Sequence, residues 1–314
     1  MHPAVDLSPG SDANQERVVN VEWLGTLKID FTSWVCLPEE VRIAVGDPNL
    51  WHESKQDLGR WFTSRSRICH ILATNPASDE MLRIVYPYQH KLKKSADDFF
   101  ALSLSGQALR NRLEFCTRWM AENWLSNING RKMVVVDLGG GSGSYGILSM
   151  QRARLDPALF GERFIWRCVD LDKAALGAGQ GMAKAMQVSK AFRFDQHNFV
   201  KDDSRPASEL LADYGVLIGV LCGMTPEEAV FCLERAKIHL KPKAELFAAT
   251  LLTRAFEEDP CVFRVLSNVL NWHLRPKTEL QVRDIFHRAG WKIQEVYSER
   301  DGGNGQYAIV HATI

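Results

Sequence analysis

No C-x-x-C pair, no zinc-ligand spacing, no net charge and no long apolar run occur in this sequence. Each absence removes a class of protein. The 38 Lys and Arg balance the 38 Asp and Glu, so overall charge does not draw the chain toward nucleic acid or an anionic membrane. The one short basic run, Lys91, Lys93 and Lys94, reads as a solvated helix face. The seven cysteines (Cys36, Cys69, Cys116, Cys168, Cys222, Cys232, Cys261) are odd in number and scattered. That argues against a disulfide framework and for buried thiols in a reducing compartment. No stretch approaches membrane-spanning length. The opening residues, MHPAVDLSPGSDANQER, lack a basic segment followed by an apolar one. The expectation is a cytoplasmic protein with no metal, no membrane and no nucleic-acid partner.

What is present is a chain of 314 residues, 46% apolar and 24% charged, a composition that suits one large or two ordinary globular domains. Residues 1–15 are polar and read as a disordered tail. Residues 16–126 are mainly helical in pattern, broken at Pro38, Pro48, Pro76 and Pro87. Apolar residues fall at three- and four-residue intervals in 58–72 and 108–125, and 20–31 alternates loosely enough for two strands. Six tryptophans lie here: Trp23, Trp34, Trp51, Trp61, Trp119 and Trp124. Two readings stand, a helical subdomain with its own aromatic core, or a lid or homodimer surface.

Residues 127–314 alternate strands with helices. Met133–Leu138 is a β-branched apolar run, a strand buried on both faces. Gly139, Gly140, Gly141 and Gly143 follow, then an apolar helix pattern from Tyr145. Strand, glycine loop and helix together bind nucleotide-like cofactors, because backbone without Cβ atoms can approach the ligand closely. Further strands are expected at 164–170, 191–198, 214–221 and 244–252, the last after a Lys-Pro-Lys turn. Helices are expected at 173–187, capped by Asp172, at 206–212, at 226–240, capped by Thr225, and at 279–289, closed by Gly290. Two final strands, 291–297 and 306–312, are joined by DGGNG. So short a link makes them an antiparallel hairpin. The fold expected is α/β, a Rossmann-like, mostly parallel seven-stranded sheet with a C-terminal antiparallel hairpin and an N-terminal helical subdomain.

The glycines can be read in two registers. Gly141, Gly143 and Gly146 spell G-x-G-x-x-G, the dinucleotide fingerprint, a weak signal in so glycine-rich a loop. Asp137, Gly139, Gly141 and Gly143 spell acidic-x-Gly-x-Gly-x-Gly. In that register VVDLGGGSG resembles the first motif of class I S-adenosylmethionine-dependent methyltransferases, and the layout of 105–314 resembles their sheet. The segment Leu104–Phe115, of the form G-x-x-x-x-x-R-N-R, is similar to one found in a group of bacterial methyltransferase-like proteins. Its plain reading is an amphipathic helix with Arg110 and Arg112 facing water.

The resemblance implies S-adenosylmethionine as cofactor and a small-molecule acceptor, of the kind met in secondary metabolism. It implies a cofactor site of Asp137, Gly139, Gly141 and Gly143, with Asp170 and neighbouring Leu171 at the ribose. Asn198 and Phe199 would stand at the adenine, and Val220 and Leu221 on the rim after the 214–221 strand. Tyr145, His197 and His273 are the candidates for a general base; Tyr145 and His273 are carried forward as catalytic. Cys222 reads as a buried thiol. Three alternatives remain open: transfer or cyclisation of the cofactor's aminocarboxypropyl arm, an NAD(P)-dependent oxidoreductase, and a non-catalytic partner that keeps the fold.

Overall fold

The computed structural model describes residues 17–21, 25–29, 37–46, 51–75, 79–87, 95–128, 132–202, 205–300 and 305–314. The expected tail, the Lys91–Lys94 run and most of the DGGNG link lie outside them. Two compact units divide the chain, one of residues 1–110 with 254–273, the other of 111–253 with 274–314.

In the first unit, β1 (Arg17–Val21) pairs antiparallel with β2 (Gly25–Ile29). Helices α1 (Glu39–Gly46), α2 (Trp51–Arg65), α3 (Arg67–Thr74), α4 (Glu80–Val85) and α5 (Ala96–Ala101) follow. The helical spacing over 58–72 is shared between α2 and α3, because Ser66 interrupts it. Ser66 Oγ accepts from Cys69 N at 3.0 Å and donates to Asp97 at 2.6 Å. A serine in this geometry ends one helix and caps the next. Phe62, Phe99 and Phe100 pack below as tilted and edge-on rings. The segment 254–273 belongs to this unit. Its Asp259, between α10 (Arg254–Glu258) and α11 (Pro260–Arg264), accepts from Ser105 N at 2.9 Å. Burial pushes the Asp259 carboxyl up to about 6.

The second unit is the expected sheet. Its strands are β3 (Met133–Leu138), β4 (Phe164–Asp170), β5 (Phe192–Gln196), β6 (Ala212–Ile218), β7 (Leu240–Leu251), β8 (Lys292–Ser298) and β9 (Tyr307–Thr313), in the order β5-β4-β3-β6-β7-β9-β8. β9 runs antiparallel to both β7 and β8. The order reverses between β3 and β6, and in open sheets of this kind ligands lodge outside the carboxyl ends of the strands at such a point. Helices α7 (Ser144–Ala153), α8 (Lys173–Ala185), α9 (Pro226–Ala236) and α12 (Glu279–Arg288) are the crossovers and flanks.

Helix α6 (Leu104–Asn123) contributes its residues from Asn111 onward to this unit. There Trp119 stacks on Phe247 with centroids 4.3 Å apart, and Trp124 stacks on Tyr214 at 4.6 Å. The Trp124 indole N–H donates to Glu245 at 2.9 Å. Such pairs add about 0.5–1.5 kcal/mol each beyond the area they bury. Two of the tryptophans assigned from sequence to the helical part thus pack on the sheet, Trp124 fully buried and Trp119 half-buried.

Local corrections have local causes. β6 ends at Ile218, because Gly219 turns the chain at φ +86°. The Lys-Pro-Lys stretch lies within β7, not before it. Residues 206–212 form only a short turn, Ser208–Leu210. Asp172 and Thr225 cap their helices as expected. No helix among the described residues is long and apolar enough to cross a membrane. Six described cysteines are free and buried.

Candidate functional site

The loop from β3 to α7 is shaped by three left-handed glycines, Gly139, Gly141 and Gly143, at φ +70°, +53° and +69°. Side chains are costly in this region. Gly143 is also enclosed, since a Cβ there would stand 2.7 Å from Cys168 Sγ. Gly143→Ala is expected to lose about 2–4 kcal/mol, from backbone strain and overpacking together, read as the shift in a urea unfolding curve. Gly139 packs so tightly on Val220 that a side chain there would collide with it. The β3 loop and the β6 rim therefore meet across the point where strand order reverses.

Asp170 ends β4 and faces this loop. Its Oδ2 accepts from Gly141 N at 2.8 Å and its Oδ1 from Asp172 N at 2.8 Å. The side chain is half-buried, and Leu171 beside it is 60% exposed. A carboxylate oxygen can accept from more than one donor, so a ribose diol could join these amides.

Asp137, at the end of β3, is 1% exposed. Its Oδ2 has no hydrogen-bond partner among the described residues. Burial pushes the Asp137 carboxyl up to about 7; Trp166 beside it eases the rise, and the charge of Asp170 adds to it. The Trp166 indole N–H nevertheless lies outside hydrogen-bonding geometry. Gly140 leaves room for this carboxyl, because a Cβ there would stand 2.6 Å from Asp137 Cγ. Two acids, one of them buried with an unpaired oxygen, therefore border a loop of bare backbone. That setting favours a cation.

The remaining candidates are differently placed. Asn198 Oδ1 accepts from Val200 N and Lys201 N at 3.2 and 3.0 Å, so its oxygen caps a turn. Phe199 is buried in the core beside Leu138 and Val169. His197 Nδ1 pairs with Asp202 at 3.0 Å. Val220 is half-buried, and Leu221 is buried in the core on the turn Leu221–Gly223. His273 is exposed, outside any helix, and belongs to the first unit. Tyr145, in the first turn of α7, is buried and its hydroxyl accepts from Arg112 Nε at 3.0 Å.

Arg112 corrects the water-facing reading of the R-N-R segment. It is 2% exposed and its guanidinium lies 4.5 Å over the Tyr307 ring. Arg110 is half-buried and donates to Ala101 O at 2.6 Å. Lys277 is buried as well, with its ammonium on the carbonyls of the β6 turn. No sequence signal marks it, since a lysine just before a helix cap ordinarily faces water.

Searches against known proteins agree on the fold. No family model matches the chain, and no curated protein matches it in sequence. Among solved structures, a possible exported protein from Bordetella parapertussis is similar at TM-score 0.58 and 16% identity, over 75% of this chain and 79% of that one. Magnesium protoporphyrin IX methyltransferase from Synechocystis PCC 6803, solved with bound S-adenosylmethionine, is similar at TM-score 0.52 and 12% identity, over 78% and 94%. Its complex with S-adenosylhomocysteine gives 0.53 and 13%, over 78% and 99%. The chain thus shares its fold with this methyltransferase, with mostly parallel strands and an antiparallel C-terminal pair.

Proposed function

We propose that the protein is an S-adenosylmethionine-dependent methyltransferase acting on a small, partly apolar molecule. One observation carries the reading: a buried carboxyl at Asp137, whose Oδ2 has no hydrogen-bond partner among the described residues, and a half-buried carboxylate at Asp170 flank the same glycine loop. A dinucleotide would bring its pyrophosphate, an anion, to the start of α7 beside these acids, where like charges repel. A sulfonium amino acid brings positive charge instead. The fold shared with a methyltransferase that binds this cofactor supports the same choice.

The residues suit each part of such a ligand. Asp170 would take the ribose diol and exposed Leu171 one face of the adenine. Asp137 Oδ2 would take the ammonium, which removes the cost of a lone buried charge. The glycine loop would lie against the ligand with its backbone. The bound cofactor supplies a methyl group already activated on sulfur. What remains for the chain is to align the acceptor and exclude water. For a hydroxyl acceptor, Tyr145 is the group of this unit to test as general base.

Calorimetric titration with S-adenosylhomocysteine should give a saturable isotherm, and NAD(P) should give none. Heat from NAD(P) alone would overturn the proposal. Product analysis separates the reactions, because methyl transfer releases S-adenosylhomocysteine and arm transfer releases methylthioadenosine.

A further inference from the structure

Lys277 is 3% exposed. Its Nζ donates to Leu221 O at 2.8 Å, Met224 O at 2.8 Å and Arg275 O at 2.7 Å. An ammonium has three N–H donors, so each has its own carbonyl. The backbone is engaged too. Lys277 N donates to Leu251 O and Thr253 N to Lys277 O, both at 3.0 Å, while Arg275 N donates to Cys222 O at 2.7 Å. Residues 275–277 therefore form a strap beside the end of β7. The strap gathers the carbonyls of residues 221, 222 and 224 from the turn that follows β6.

Lysine is almost never this buried without partners, and burial lowers the pKa of this one. An apolar side chain of similar length could fill the volume, but it could not satisfy three inward-pointing carbonyls. The turn that carries two of them, Leu221 O and Met224 O, begins next to Val220, which packs on Gly139. Its shape therefore sets how closely the β6 rim approaches the glycine loop.

We propose that Lys277 is a positioning residue: its ammonium fixes the Leu221–Met224 turn, and through it the β6 wall of the ligand site. The clamp stands on geometry alone, whereas its bearing on a ligand rests on the methyltransferase reading.

Cys222 sits inside the clamped turn at 6% exposure, and reports its opening. Cys69, Cys116, Cys168, Cys232 and Cys261 are buried elsewhere and report general unfolding. The native full-length protein and its Lys277→Met and Lys277→Arg variants are alkylated with iodoacetamide, and the labelled peptides are mapped over time. Lys277→Met should speed Cys222 labelling at least about tenfold with the other five unchanged, and Lys277→Arg should restore much of the protection, because guanidinium also donates to several carbonyls. In calorimetry, Lys277→Met should weaken S-adenosylhomocysteine about tenfold, with recovery in Lys277→Arg. Unchanged Cys222 labelling, equal opening of all six thiols, or no rescue by arginine overturns the clamp. Faster labelling with unchanged affinity overturns its role at the site. A wild-type protein that binds no S-adenosylhomocysteine refutes the proposed function, and labelling then decides the clamp by itself.

Discussion

Replacing Asp137 by Asn is expected to make the protein more stable above pH 7 and, in the same variant, to weaken its binding of S-adenosylhomocysteine. The stability half follows from linkage. Burial raises the Asp137 carboxyl from 3.8 to about 7 in the folded state. Between pH 4 and 7 the unfolded chain has lost this proton and the folded chain still holds it. Stability therefore falls as pH rises through that window and levels off above it. About three pKa units at about 1.4 kcal/mol each make the loss about 4 kcal/mol. The amide of the Asp137→Asn variant does not titrate, so the wild-type and variant stability curves should diverge across pH 4–7 and run parallel above it. The measurement is urea unfolding at intervals of pH.

The affinity half follows from the unsatisfied Oδ2. An amide in place of the carboxylate cannot neutralise a ligand ammonium, and losing one charged hydrogen bond costs about 1.5–3 kcal/mol. Affinity should fall by ten- to a hundredfold. In the wild type, affinity should rise with pH up to about 7, because the ligand must drive off the Asp137 proton in more acid solution. Flat affinity from pH 5 to 8, or a variant that binds as well as wild type, would remove Asp137 from the site.

Replacing Asp170 by Ala is the second large effect. The side chain accepts from Gly141 N and Asp172 N, so its loss frees the glycine loop at its centre and takes away the acceptor assigned to the ribose. S-adenosylhomocysteine affinity should drop at least about a hundredfold, from two charged hydrogen bonds of the size above. Asp170 also raises the Asp137 carboxyl by like charge. The variant should therefore titrate Asp137 at lower pH, so the stability decline ends in more acid solution. The two effects are coupled and should not add in the double variant. Asp170→Asn separates them, because it keeps the shape and removes the charge. Unaltered affinity in Asp170→Ala would mean that the ribose lies elsewhere.

Much of this was readable before any coordinates. The run from Met133 to Gly143 specifies a buried strand and a loop that only glycine can follow, through φ values that side chains resist. Strand β4 has the bounds its pattern implied, and Asp172 and Thr225 cap their helices. These are short-range effects, set by alternation, capping oxygens and missing Cβ atoms within a few residues. The acidic register also chose correctly for the fold, since an aspartate closing a buried strand is not accidental where its desolvation is so costly.

Other features depend on residues far apart in sequence. Arg112 lies on a helix whose periodicity leaves it facing water, yet Tyr145 and Tyr307 cover it. Trp119 and Trp124 read as part of a helical appendage and instead stack on strands β7 and β6. Residues 254–273 leave the sheet after Thr253 and belong to the N-terminal unit, a grouping that no local pattern announces. The sequence by itself determined the sheet's elements, the glycine loop and the acids beside it, because each is written within one turn or strand. Only the tertiary structure decided which charges are buried and what holds them, Lys277 on its three carbonyls above all, because burial is conferred by whichever distant segment comes to lie on top.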